Sequence, residues 1–256
     1  TANDMARPGV RLRIAGAMLL AGVCPVVAQT QAPTQVPTPA PVALIHQPDL
    51  TPDIQALPRL ESATAAARSI NDQLSRLDTE MLSWAVSCDT DPPTTRVRRG
   101  LEVAFAGPDY LSVLMQIEVY CPGAAHGNHA LVPLTFDLAS GEEVRWRDMV
   151  PAPLQDPERS PNTADFIIGT SALTAQYFSW ATDLGTECKA VILSENDGYF
   201  RLWPSALDQG LVLLPTGLSH ANQACADPVA LPLAVLREMR FPAPLLVALS
   251  DPGPLP

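Results

Sequence analysis

The chain has 256 residues, 47% of them hydrophobic and 17% charged, with a formal net charge of −11. That composition belongs to a chain with a sizeable core and excludes an intrinsically disordered one. So acidic a chain cannot collect nucleic acid electrostatically and is repelled by anionic lipid headgroups, which leaves a basic partner or a small solute as the better expectation.

Residues 1–28 read as a signal peptide, with residues 1–4 as upstream translation before Met5. Arg7, Arg11 and Arg13 form a basic n-region, Ile14–Val23 an apolar h-region, and Val26-Val27-Ala28 supplies small residues for cleavage. The apolar run is shorter than the roughly 20 residues that a bilayer span needs. Lipoprotein processing at Cys24 is disfavoured because Val23, not a small residue, precedes it. The expected localisation is therefore periplasmic or secreted, with no transmembrane segment after cleavage. Loss of the leader removes three arginines and Asp4, so the mature chain carries −13.

Residues 29–42 (QTQAPTQVPTPAPV) have the Pro/Thr/Gln composition of an extended linker. A first subdomain is expected over 43–150, a second over 151–250, and a disordered tail over 251–256. Ala43–Ile45 and Ile54–Leu57 read as short edge strands interrupted by prolines. From Glu61 to Ser87 the apolar residues Ala63, Ala67, Ile70, Leu74, Leu77, Met81 and Trp84 recur every three or four positions, the stripe of a long amphipathic helix.

Beyond Asp91-Pro92-Pro93 the period changes to two. Leu101, Val103 and Phe105, then Val113, Met115, Ile117 and Val119, predict a hairpin about the Gly107-Pro108-Asp109 turn. Val132, Leu134, Phe136 and Leu138 predict a third strand, with Thr135 and Asp137 facing out, followed by a turn into Glu142–Trp146. Ser160-Pro161 has the chemistry of a helix start, with Phe166, Thr170, Leu173, Tyr177 and Ala181 as the buried face. Glu187–Leu193 is helical or irregular. Tyr199–Trp203 and Leu211–Leu214 form a second hairpin, Val229–Leu231 a last strand and Leu233–Met239 a short helix. This order argues an α+β fold, an antiparallel meander packed against two main helices with a C-terminal hairpin subdomain, rather than a parallel doubly wound sheet.

With Cys24 removed, Cys88, Cys121, Cys188 and Cys225 form an even set, for which export makes disulfides the default. A first turn centred at 108 sets position 121 opposite 95, near Cys88, and the second hairpin puts 188 and 225 at equal distances from its centre. Cys88–Cys121 and Cys188–Cys225 are the expected pairs. The rival, a zinc site, lacks the close Cys-x-x-Cys spacing.

His126, Asn128 and His129 in the Gly-rich stretch after Cys121, together with His220, are the candidate binding residues. Three imidazoles could make an open metal site, but a loop does not hold its spacing as a helix does, so no metal and no cofactor is assigned. No G-x-S-x-G elbow, phosphate loop or dinucleotide fingerprint is present, and the acid pairs Glu142/Glu143 and Glu187/Glu195 read as solvated surface carboxylates. No catalytic residue is assigned. Trp146, Trp180, Trp203 and Tyr199 could line a ligand groove; for Trp180 and Trp203 core packing is the favoured reading.

Gly123-Ala-Ala-His-Gly-Asn128, Leu134-Thr-Phe-Asp-Leu-Ala-Ser-Gly141 and Val144-Arg-Trp-Arg-Asp-Met149 resemble the pattern of a bacterial envelope domain of unknown function. That family includes the lysozyme-sensing region of RsiV-type anti-sigma factors and the non-catalytic module of PdaC-type peptidoglycan deacetylases. The likeness extends over 43–239, with Ile70-Asn71-Asp72-Gln73-Leu74 matching the family's helix and Tyr199–Leu231 its C-terminal hairpin and strand. It implies an α+β sheet-and-helix fold and a non-enzymatic binding or sensing module, with a cationic lysozyme-like protein or a peptidoglycan fragment as partner. No sigma-binding segment or deacetylase domain accompanies it, and Trp203-Pro-Ser-Ala-Leu207 replaces the family's aromatic hairpin, so neither named activity is carried over. The alternative is an envelope hydrolase or metal-dependent enzyme using His126, His129 and His220.

Overall fold

The structure, a computed structural model, describes residues 42–84, 96–121, 127–164, 166–253 and 255. The leader, the linker up to residue 41, Cys88 and His126 lie outside the described residues.

The periodic stripe forms helix α1 (Ala65–Trp84), which buries Ala67, Ile70, Leu74 and Met81. It also buries Asp78, a polar residue in the stripe, and leaves Trp84 53% exposed. The face of α1 packs against a three-stranded antiparallel sheet of β3 (Arg96–Ala106), β4 (Tyr110–Tyr120) and β5 (Asn128–Asp137), in that order. Ahead of α1, β1 (Leu44–Ile45) pairs with β2 (Arg59–Leu60). The predicted strand at Ile54–Leu57 is instead two isolated bridges of Ile54, one to Thr51 and one to Arg99, the latter made by the backbone bonds of Asp53 and Gln55 with Arg99.

One bulge sets the layering. The register of β3 on β4 slips between Val103 and Phe105, so these two residues, expected on one face, part company. Val103 packs with the α1 side, and Phe105 enters the core on the opposite side. That opposite side is covered by a second antiparallel sheet of β6 (Ile167–Ile168), β7 (Tyr199–Ser205), β8 (Gly210–Pro215) and β9 (Val229–Pro232). Ala104 and Leu114 of the first sheet meet Trp203, Val212 and Leu214 of the second. Thr135, expected to face water, is buried between the sheets, where its Oγ1 lies 3.1 Å from Ser112 Oγ.

Phe200, Leu202, Leu211, Leu213 and Leu231 point to the far side and pack on α3 (Ser171–Trp180), α5 (Leu233–Glu238) and α6 (Ala243–Ser250). The layers thus run helix, sheet, sheet, helices, an α+β fold. Between the sheets in sequence lie the short α2 (Trp146–Met149) and a 3-10 turn at Ala152–Leu154.

The helix predicted from Ser160 begins only at Ser171, with Thr170 in the N-cap position. Ser160 is buried, and its Oγ accepts the Ile168 amide at 2.9 Å, which ties it to β6 rather than to a helix start. Leu173, Tyr177 and Ala181 are buried as expected. Trp203 is a core residue, whereas Trp180 is 44% exposed. Glu187–Leu193 falls within helix α4 (Thr186–Glu195).

Candidate functional site

Strand length creates the site. β3 and β4 have 11 residues each and β8 has 6. β7 crosses the strands of the first sheet, from Arg201 at Leu131 of β5 to Ala206 at Ala104 of β3, and so covers only part of their length. Burial follows this overlap: β5 is exposed at Asn128, His129 and Ala130 and buried from Pro133 to Phe136. One end of the first sheet is thus left bare on the face that elsewhere meets the second sheet.

The bare face carries a row of side chains set by register. Arg98 lies opposite Glu118, and Glu118 opposite His129, on three neighbouring strands. Arg98 NH1 stands 3.4 Å from Glu118 Oε2, and its Nε 3.9 Å from Asp53 Oδ1. His129 Nδ1 stands 3.8 Å from Glu118 Oε1. The row toward the strand ends pairs Arg96 with Tyr120, and the row toward the second sheet sets Gly100, Gln116 and Leu131 side by side. Even-numbered β4 residues share this face by the alternation of a strand, so Gln116, Glu118 and Tyr120 point the same way.

Three adjoining cavities meet at Glu118. The largest, about 600 Å³, lies between the bare strip and the second sheet, with Thr216, Leu218, Gln223, Ala226 and Pro228 as its other wall. A second of about 410 Å³ sits over Arg96, Tyr120 and Gly127, and a third of about 240 Å³ over Asp53, Arg98 and Gly100. Arg201 of β7 crosses to the first sheet and donates through NH1 to the Leu131 carbonyl at 2.7 Å. On the α1 side of the same sheet, Met81, Trp84, Met115 and Val132 line a more apolar groove of about 390 Å³.

The far wall is held by two cross-links from α4. Cys188 is disulfide-bonded to Cys225, with Cα atoms 5.0 Å apart, at the end of a 3-10 turn over His220–Cys225. Glu195 accepts the Ser219 amide at 2.8 Å and the Asn222 side-chain amide at 2.6 Å. The Ser219 hydrogen bonds hold the Glu195 carboxyl below its usual range, with Asn222 adding to the effect.

Of the expected site residues, His129 belongs to the row and Asn128 lies beside it, opposite Val119, lining the 390 and 410 Å³ cavities. His220 is half-buried at the start of the 3-10 turn. His126 lies outside the described residues, and among those described no three His, Cys, Asp or Glu side chains are placed to hold a metal. Cys121 is disulfide-bonded, while Cys88 lies outside the described residues. Glu187 and Glu195 stand at opposite ends of α4 and form no pair. Glu118, Arg98, Gln116 and Tyr120 did not stand out by residue type. A turn centred at residue 108 nevertheless places 98 opposite 118, and that arithmetic was the available signal.

No family model matches the chain, and no curated protein matches it. Among solved structures it is similar to a member of the DUF3298 family from Bacteroides fragilis, at 14% identity and a TM-score of 0.44, over 72% of this chain and 69% of that one. Among the described residues no helix is long and apolar enough to cross a membrane.

Proposed function

We propose that the chain is an exported, non-enzymatic binding or sensing module of the bacterial envelope, which receives a cationic lysozyme-like protein or a wall glycan on the bare strip around Glu118. The observation that carries this reading is the cleft of about 600 Å³ in which donors and acceptors, Gln116, Glu118, His129 and Arg201, stand beside apolar Leu131, Leu218 and Pro228. A few convergent polar groups on apolar walls orient a ligand. Export is supported by the leader read at residues 1–28 and by the disulfide Cys188–Cys225, which an oxidising compartment preserves.

The test passes the mature chain over immobilised lysozyme and over purified peptidoglycan. Retention on either, weakened in Glu118→Gln, is expected; retention on neither sinks the reading. Mass spectrometry of the exported chain should find Gln29 at its start.

A further inference from the structure

We infer that the bare strip takes an N-acetylated amino-sugar chain, laid across the strands of the first sheet. This rests on the binding-module reading and names its ligand class and its residues.

The row of Arg98, Glu118 and His129 crosses three strands. At about 4.8 Å between strands it spans roughly 10 Å, the scale of two linked pyranose rings. Its side chains end in planar guanidinium, carboxylate and imidazole groups whose spacing is fixed by the backbone ladder. Vicinal sugar hydroxyls can donate to Glu118 while accepting from Arg98 and His129. The cavities on either side of Glu118 adjoin, so the space is a groove for a chain rather than a pit for a compact solute.

Charge selects among ligands. In a chain of net charge −11, this strip is nearly self-neutralised, since Arg98 lies between Asp53 and Glu118, and Glu118 also faces His129. Of the two partners of the binding-module reading, the local pairing of charges favours the uncharged glycan at this strip. What remains is a dense set of directional donors and acceptors, which suits an uncharged polyhydroxyl chain.

Both flanks of the row fit a sugar. Tyr120 is 43% exposed on the same face, and its ring offers an apolar plane to the C–H face of a pyranose. Gly100 ends the Gln116 row without a side chain; a Cβ there would find only Gln116 Cβ, at 3.9 Å, so the backbone lies open to a flat ring. In the deeper cleft Gln116 and its strand neighbour Leu131 line one cavity with apolar Ala226 and Pro228. An acetamido group needs that combination, a donor for its carbonyl and an apolar surface for its methyl.

The experiment titrates the mature chain with a β-1,4-linked N-acetylglucosamine hexamer, and with a glucose hexamer of the same linkage, by calorimetry and by amide shift mapping. The N-acetylated chain should bind at least tenfold more tightly than the glucose chain, with little loss on raising salt. Tyr120→Ala and Gln116→Ala should each weaken binding about tenfold or more, a loss of roughly 1.4 kcal/mol, without lowering the melting midpoint. Should either variant fold poorly, shifts of the wild-type amides at Gln116, Glu118, Tyr120 and His129 decide the matter. Absence of binding, equal binding of the two hexamers, or shifts confined to other surfaces overturns the proposal. Retention on lysozyme without hexamer binding leaves the binding-module reading standing and removes this one, whereas failure of lysozyme, peptidoglycan and hexamer alike removes both.

Discussion

The guanidinium of Arg99, whose side chain has no exposed surface, is ion-paired with the carboxylate of Asp78 in α1. Arg99 also donates through Nε and NH2 to the Gln55 carbonyl at 2.9 and 2.6 Å. Asp78 in turn takes Arg59 at 2.7 Å and the Leu57 amide at 3.1 Å. A single carboxylate thus ties α1, the segment before β2 and β3 into one network inside the core beneath the first sheet.

Asp78→Ala should therefore destabilise the fold by about 3–5 kcal/mol, since it strands a buried guanidinium without its counter-charge. Arg99→Met should be milder, because Asp78 keeps Arg59 and the Leu57 amide. Urea unfolding measures both. A loss under about 1 kcal/mol for Asp78→Ala, the scale of an exposed pair, would show that water reaches the network.

Gly141 joins the end of β5 to the helix layer at one point. Its φ is +76°, and a Cβ there would stand 2.6 Å from the Ala66 carbonyl oxygen and 2.7 Å from the Ala66 Cα. Its own carbonyl accepts Gln73 Nε2 at 2.8 Å. Gly141→Ala meets backbone strain and backbone contact together, and should cost about 2–3 kcal/mol. Gln73→Ala should cost about 1 kcal/mol through the lost bond alone. A melting series of the two variants separates strain from hydrogen bonding, and equal losses would contradict the steric account.

What could be read from the sequence was whatever repeats locally. α1 and the first hairpin show clear periods, and the turn at residue 108 predicts the observed pairing of Arg96 with Tyr120. Features that depend on distant partners were hidden. Asp78 sits in the buried stripe, and its partners Arg59 and Arg99 are 19 and 21 residues away. The bulge at Val103/Phe105 breaks an alternation that looked continuous. α6 is apolar around most of its circumference, so it carries no helical stripe to read, and it went unpredicted. The site follows the same division. His129 stood out as a residue type, the Arg98–Glu118 pair needed the hairpin register, and the wall of Thr216, Leu218 and Gln223 arises only when the second sheet packs over the first.

The disulfide Cys188–Cys225 closes a separation of 37 residues. Constraint of the unfolded chain over that loop corresponds to about 4 kcal/mol. A Cys188→Ala/Cys225→Ala double variant should lose stability on that scale, and reductant should lower the wild-type midpoint at least as far, since it also opens the disulfide of Cys121. Glu195 still clamps Ser219 and Asn222 in the variant, so the far wall of the cleft should keep its place above the acid range. Because the folded Glu195 carboxyl titrates below its ordinary value, that clamp is present at neutral pH and is lost as pH falls through the lowered value. The Ser219 amide shift, followed with pH, reports it. A Ser219 shift that does not move through the acid range would rule out the clamp.

Alkaline conditions probe the opposite core. Burial, and then the nearby Asp227, push the Tyr177 phenol well above the ordinary value of 10.0, and its hydroxyl donates to the Asp227 carbonyl at 2.9 Å. Tyr110 is raised in the same direction by burial, Asp137 and Asp109. In the unfolded chain both phenols release their protons near pH 10, while in the folded chain both retain them. The unfolded state then binds fewer protons, so the stability these groups confer is fully present below about pH 10 and falls as pH rises beyond it. Each phenol contributes a slope of up to roughly 1.4 kcal/mol per pH unit. Tyr177→Phe should lose about 1 kcal/mol at neutral pH through the missing hydrogen bond, yet decline less steeply above pH 10, with Tyr110 supplying the remaining slope. Unfolding midpoints between about pH 8 and 11 measure the difference, and identical alkaline slopes for wild type and Tyr177→Phe would assign the loss to other groups.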